Sequence, residues 1–144
     1  MIVIGSDHGG FVLKEKLKVY LKENSYQVND VGCFSEDSVH YPQVAKLLTD
    51  KIISGEQNKG ILVCGTGIGM SIAANRFKEI RAALCHDYLT AKLSREHNNS
   101  NVLVLGGRIT GDETAYNILD VWLNTEFLAG RHQNRLDMIF KIKD

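Results

Sequence analysis

The sequence predicts an α/β domain built on a five-stranded parallel sheet with helices on both faces. Three observations carry that expectation. Short apolar, β-rich runs alternate with amphipathic helical stretches along the whole chain. One buried run, residues 60–64, passes directly into a glycine-rich turn and then a helix. Across 144 residues there is no linker, repeat or low-complexity segment, so residues 1–144 read as one domain.

The elements follow in order. Residues 1–5 make the first strand. Leu13, Leu17, Tyr20 and Leu21 then recur at helical spacing, with Lys14, Lys16 and Lys18 between them. Residues 26–31 give the second strand. Pro42 opens a helix with Val44, Leu47, Leu48 and Ile52 on one face and Gly55 just past its end. The third strand, 60–64, reads GILVC, and GTGIG turns the chain into a helix running through SIAANRF. Residues 82–85 form the fourth strand, and Asp87 is placed to N-cap the helix after it. A polar loop, REHNNSN, leads into the fifth strand at 102–105. Thr110 and Glu113 have capping-box spacing, and Ala115, Ile118, Leu119, Trp122 and Leu123 form an apolar stripe behind them. Residues 131–143 have helical periodicity too.

Composition narrows the function classes. Lys plus Arg and Asp plus Glu both total 17, so no global field gathers nucleic acid or an anionic membrane surface. Any anionic ligand must be captured by a local positive cluster. No apolar run is long enough to span a bilayer, and MIVIGSDHGG lacks the basic region of a signal peptide. Cys33, Cys64 and Cys85 are odd in number and widely spaced, which argues against a disulfide framework or a zinc site. A cytoplasmic location is expected, with no metal and no cofactor.

Ligands of open parallel sheets bind beyond the carboxyl ends of the strands. Asp7 and His8 follow the first strand there, and Cys64-Gly-Thr-Gly-Ile-Gly follows the third. Gly65, Gly67 and Gly69 permit a tight turn and close approach of backbone to a ligand. Amides opening the next helix favour negative charge, including charge on the sulfur of Cys64. Cys64 is therefore either a reactive base or a small buried strand-end residue; Cys33 and Cys85 read as structural. The turn lacks both the P-loop and the dinucleotide-binding patterns.

His97 and Asn98 lie in the REHNNSN loop, at the amino end of the sheet. A strand of five residues spans roughly 17 Å, too far for His97 and Cys64 of one chain to touch one small substrate. If both act together, a second subunit supplies one of them. Arg131 and Arg135 share a helical face and suit phosphate, or else form a solvated basic helix end. Arg108, after VLVLGG, is a third candidate for the positive cluster, with His8.

Taken together, GSDHGG, ILVCGTGIGMSIAAN, SREHNNSNVLVLGGR and GRHQNR resemble the ribose-5-phosphate isomerase B family, which includes galactose-6-phosphate and allose-6-phosphate isomerases. The resemblance covers nearly the whole chain. It implies a Rossmann-like three-layer sandwich and a homodimer, or dimer of dimers, with shared sites. The last helix, about 131–143, would then be available to pack on a partner subunit. By the resemblance, Cys64 shuttles a proton between C2 and C1 of ribose 5-phosphate and ribulose 5-phosphate through a cis-enediolate. Thr66 and the backbone of Gly65, Gly67, Ile68 and Gly69 hold the enediolate oxygen, and His97 opens the sugar ring. Asp7 and Asn98 hold hydroxyls, while His8, Arg108, Arg131 and Arg135 bind phosphate. Tyr41 and Ser71 line the pocket. Some family members use a nearby carboxylate base; Cys64 places this chain with those that use cysteine.

A six-carbon substrate remains open, as galactose- or allose-6-phosphate. One chain carries both the Cys64 loop and His97-Asn98, which favours a self-sufficient homo-oligomer and a five-carbon sugar. A non-catalytic phosphosugar sensor on the same scaffold is the rival from another class, and binding alone would not require Cys64, Thr66 and His97 together. A flavodoxin-like nucleotide-binding domain is a third reading, disfavoured by the glycine spacing.

Overall fold

The structure, a computed structural model, describes residues 1–142. Five strands, β1 Ile2–Ser6, β2 Val28–Asp30, β3 Lys59–Cys64, β4 Ala82–Leu84 and β5 Val102–Gly106, pair in parallel in the order β2-β1-β3-β5-β4. Every residue of β1 and β5 is buried, as expected of strands covered on both faces. From β1 the chain builds outward to β2, then returns to place β3 on the other side of β1. That reversal opens a crevice beyond the carboxyl ends of β1 and β3, where such sheets bind ligands.

Four helices connect the strands, α1 Phe11–Glu23, α2 Tyr41–Ile53, α3 Ile68–Ala74 and α4 Tyr88–Asn98, and two follow the last strand, α5 Asp112–Asn124 and α6 Arg131–Phe140. Strand side chains alternate between the two faces. Ile2, Ile4, Ile61, Val63, Leu103 and Leu105 meet α1, α4 and α5 through Leu13, Leu17, Leu21, Ala91, Ile118 and Trp122. Val3, Leu62, Cys64, Val102 and Val104 meet α2 and α3 through Val44, Ala45, Leu48, Met70 and Ala74. The side chain of Cys64 is thereby assigned to the α2/α3 layer. The result is the Rossmann-like α/β layout expected from the sequence.

Several expectations change in detail. His97 and Asn98 close α4 instead of lying in a loop, because Asn99 takes the left-handed conformation (φ 46°) and serves as the C-cap. Asp87 does N-cap α4, accepting from the Thr90 amide at 2.7 Å. Thr110 does not cap α5: Gly111 holds that position, and the Thr110 hydroxyl is buried with no protein partner. The helix after GTGIG begins inside that motif at Ile68 and stops at Ala74, short of Phe77. Asn75 ends it by bonding the backbone N–H and C=O of Ala82 at 2.9 Å each. Leu47 is exposed, and the buried face of α2 runs through Val44, Ala45, Leu48 and Thr49. The last helix ends at Phe140, packs through His132 and Leu136 onto its own chain, and the expected final residue, 143, lies outside the described residues.

Lys14 departs furthest from its sequence context. Named in the sequence only as lying between the apolar helical positions, it is fully buried, donating to Asp30 at 2.7 and 2.9 Å and to the Cys33 carbonyl at 2.6 Å. Among the described residues, no helix is long and apolar enough to cross a membrane.

Candidate active site

Three loops meet beyond the carboxyl ends of β1, β3 and β5, and backbone hydrogen bonds tie them together. Asp7 N–H donates to the Val63 carbonyl (3.2 Å), Gly107 N–H to Cys64 (2.7 Å) and Arg108 N–H to Gly65 (2.9 Å). Glycine makes the approach possible. A Cβ on Gly10 would run into the Val63 carbonyl, and one on Gly107 would stand 2.8 Å from the Gly9 oxygen. The paired glycines of DHGG and LGGR were the visible signal for this packing.

Around that junction stand most of the residues singled out in the sequence. Asp7 is buried, and its Oδ1 accepts from Gly10 N–H at 3.1 Å, holding a short 3₁₀ turn over His8–Gly10. The Nδ1 of His8 accepts from the Val39 amide at 3.3 Å, so the proton of the neutral ring sits on Nε2. Cys64 is 5% exposed, and its Sγ accepts from the Gly67 amide at 3.1 Å. Gly67 reaches that position in the left-handed conformation, φ 82°, with no room for a side chain against Leu84 and Leu105. Thr66 is exposed, and its Oγ1 accepts from Ile68 N–H at 3.3 Å.

The Tyr41 ring lies across Gly69, where a Cβ would come within 2.8 Å of it. The Arg108 guanidinium lies beside Gly65. Ser71, partly exposed, sits one turn into α3, where its amide bonds the Gly67 carbonyl. Asp7, His8, Tyr41, the segment from Cys64 to Gly69, Ser71 and Arg108 therefore belong to one end of the sheet.

The remaining four lie at the other end. His97 and Asn98 finish α4, just before β5 begins, and Arg131 and Arg135 project from α6. One residue here was not weighed in the sequence. His132 is 6% exposed and stacks on His97, with ring centroids 4.3 Å apart and planes 9° from parallel. Burial first, then His97, Arg131 and Arg135, lower its proton affinity, while Glu96 opposes them. Its signal in the sequence was the position between two arginines, but only a helix packed on α4 turns that position into a contact. Asn98 faces a cleft of about 1030 Å³, with Arg81, Leu136 and Phe140 among its walls.

The structure thus divides the expected site in two. β5, at five residues, separates the halves by roughly 17 Å. The proposed phosphate ligands are divided as well, with His8 and Arg108 at the carboxyl end and Arg131 and Arg135 at the amino end. Among the described residues, no three His, Cys, Asp or Glu side chains gather as a metal site requires.

The family model for Ribose/Galactose Isomerase matches residues 2–139. The chain belongs to that family. It is therefore an enzyme of the isomerase class. Within the ribose/galactose isomerase family it is 44% identical, over 142 residues, to ribose-5-phosphate isomerase B of Escherichia coli, covering 99% of this chain and 95% of that protein. The ribose 5-phosphate isomerase structure from Thermotoga maritima superposes with a TM-score of 0.96 at 52% identity, covering 98% of this chain and 97% of the other. A second similar structure, ribose-5-phosphate isomerase B of Mycoplasma genitalium with bound ribulose-5-phosphate, gives a TM-score of 0.91 at 40% identity, covering 97% of this chain and 93% of the other.

Proposed function

We propose that this member of the ribose/galactose isomerase family interconverts ribose 5-phosphate and ribulose 5-phosphate, with Cys64 as the base. The observation that carries the reading is the Gly67 amide donating to the Cys64 sulfur at 3.1 Å. An N–H aimed at sulfur stabilises the anionic form that a base must adopt. The similar Mycoplasma genitalium protein binding ribulose-5-phosphate supports the substrate.

The chemistry follows from the open-chain sugar. Cys64 removes the C2 proton, the C2–H electron pair forms the C1=C2 double bond, and negative charge collects on O1. Amides of the 65–69 loop and the Thr66 hydroxyl face that charge, a type of stabilisation worth about 3–4 kcal/mol. A proton passes from O2 to O1, and the thiol returns its own proton to C1. Electrons and protons balance within the sugar and one side chain, so the step is complete without a metal, oxidant or cofactor. Asp7 has one carboxylate oxygen committed to Gly10 and the other available for a hydroxyl. His8 and Arg108 grip phosphate, and Tyr41, Ile68 and Ser71 wall the pocket.

Ring opening is assigned to His97, with Asn98 on a hydroxyl and Arg131 and Arg135 on phosphate, all from a second copy of the chain. The distance between the two half-sites supports this division, as does the exposed outer face of α6. A homodimer, alone or paired into a tetramer, is the working unit, with α6 facing the partner. Three cysteines without disulfides suit a reducing cytoplasm.

The test is Cys64→Ala assayed against a panel of five- and six-carbon aldose phosphates. We expect kcat/KM to fall about 10³-fold with ribose 5-phosphate while the protein still folds. Retained turnover removes Cys64 from proton transfer. A wild-type preference for galactose or allose 6-phosphate overturns the five-carbon assignment. Binding of ribose 5-phosphate without solvent deuterium appearing at C1 or C2 would favour a sensor.

A further inference from the structure

We propose that His132 is a positioning residue, a buried flat shelf that holds the His97 imidazole at the angle its proton transfer requires. The inference rests on reading His97 as the ring-opening acid. It begins from the stack itself: centroids 4.3 Å apart and planes 9° from parallel, with the lower ring 6% exposed and the upper one partly open to solvent.

An imidazole at the end of a helix can turn about two side-chain bonds. A ring packed face to face against it removes most of that freedom. The shelf is itself immobile. His132 occupies the inner face of α6, one turn before the buried Leu136, and α6 is held against α4. The segment before α6 is tied to α4 by Leu128 N–H donating to the Glu96 carbonyl at 3.1 Å.

Histidine suits this position better than an aliphatic residue for an electrostatic reason. The charged or titratable groups facing His132 are Glu96 and His97 from α4 and Arg131 and Arg135 from its own helix. Desolvation and the cations among these disfavour its protonation, so it presents a neutral ring face. When His97 carries the proton it is to donate, that face attracts the cation rather than repelling it.

The shelf has a second consequence. Arg131 and Arg135 flank His132 at one and three residues along the same helix. The phosphate grip and the ring-opening acid are therefore in register through one rigid body. In a sugar phosphate the phosphate and the ring oxygen lie at a defined separation, so acid and grip must keep a matching one.

Three variants test the idea: His132→Ala, His132→Phe and, as reference, His97→Asn. Two rates are measured for each. One is kcat/KM for ribose 5-phosphate, which enters as a closed ring. The other is solvent deuterium wash-in at C1 of ribulose 5-phosphate, which has no ring to open because its C5 oxygen is esterified. We expect His132→Ala to lower the first about tenfold to a hundredfold and to leave the second within about threefold. His132→Phe keeps a flat ring and should hold both rates within about threefold, with an unchanged pH profile. The inference is overturned if His132→Ala matches wild type, if it lowers both rates equally, or if His132→Phe is as damaged as His132→Ala. If His97→Asn shows no selective loss on the closed sugar, the fault lies in the assignment of His97 instead.

Discussion

The two ends of the sheet are built from different materials. At the carboxyl end the site is mostly backbone: glycines let three loops touch, and an amide reaches the sulfur of Cys64. At the amino end it is mostly side chain: rings and guanidiniums carried on α4 and α6, steadied by their packing. The satisfaction of buried polar groups does not follow this division. Trp122, Ser100 and Ser94 form a buried chain of hydrogen bonds at the amino end, but Gln57 Oε1 at that end is buried and unpartnered, as is the Thr110 hydroxyl at the carboxyl end. The lesson is that a backbone site announces itself in short glycine-rich motifs, even when several of them must meet. A side-chain site needs particular faces brought together in space.

If the halves are complementary, separate lesions should rescue each other. Cys64→Ala and His97→Asn should each be inactive alone. Two-site dimers formed at random from an equal mixture should recover about a quarter of the wild-type activity, since half the dimers carry one intact site. A mixture that stays inactive despite confirmed exchange of subunits breaks the comparison.

A second prediction concerns what anchors the carboxyl end. Burial opposes ionisation of Asp30, but hydrogen bonds from Lys14, Lys18 and Gly32 outweigh it and hold the carboxyl below its ordinary range. Asp30→Asn leaves the buried Lys14 with only the partly exposed Glu15 carboxylate, at 3.2 Å, as a counter-charge and should cost about 3 kcal/mol in urea unfolding. Because the folded value is depressed, the wild-type contribution is complete above the unfolded value near 3.9 and disappears as pH falls through the folded one. The acid limb of a stability–pH curve should therefore be shallower in the variant.

The amino end should govern the alkaline limb. Burial, with Arg95 nearby, pushes Lys59 down to about 8, against an unfolded value near 10.4. Between these the unfolded chain binds the proton that the folded chain has lost, so this group makes stability rise from about pH 8 to about pH 10. Lys59→Met should flatten that rise, and an unchanged slope in thermal melts across the interval would assign it elsewhere. The smallest effect is expected at Thr110. Thr110→Val removes an unpartnered hydroxyl at nearly constant volume and should raise stability by up to about 1 kcal/mol. A loss of that size instead would reveal a bonding partner for the hydroxyl.

The Cys64 turn of the carboxyl-end half was legible because its residues are consecutive: CGTGIG is a strand end, a turn and a helix start in one motif. His97 was legible as a candidate but not as a helical residue, because Asn-Asn-Ser resembles a loop until Asn99 adopts its left-handed cap. The burial of Lys14 was not legible because helical spacing cannot say whether a lysine between apolar positions meets water or an aspartate sixteen residues away. His132 escaped notice for a similar reason, since stacking depends on which helix α6 meets.

By itself the sequence determined the alternation of strands and helices, the five-stranded parallel sheet and the motif that surrounds Cys64. These depend on local periodicity, turn chemistry and the small volume of glycine, all written along neighbouring residues. Only the tertiary structure decided that Lys14 is buried, that His97 rests on His132 and that the Gly67 amide meets the sulfur. Those outcomes depend on distances between elements, which arise when the two faces of the sheet are covered and every helix takes its place.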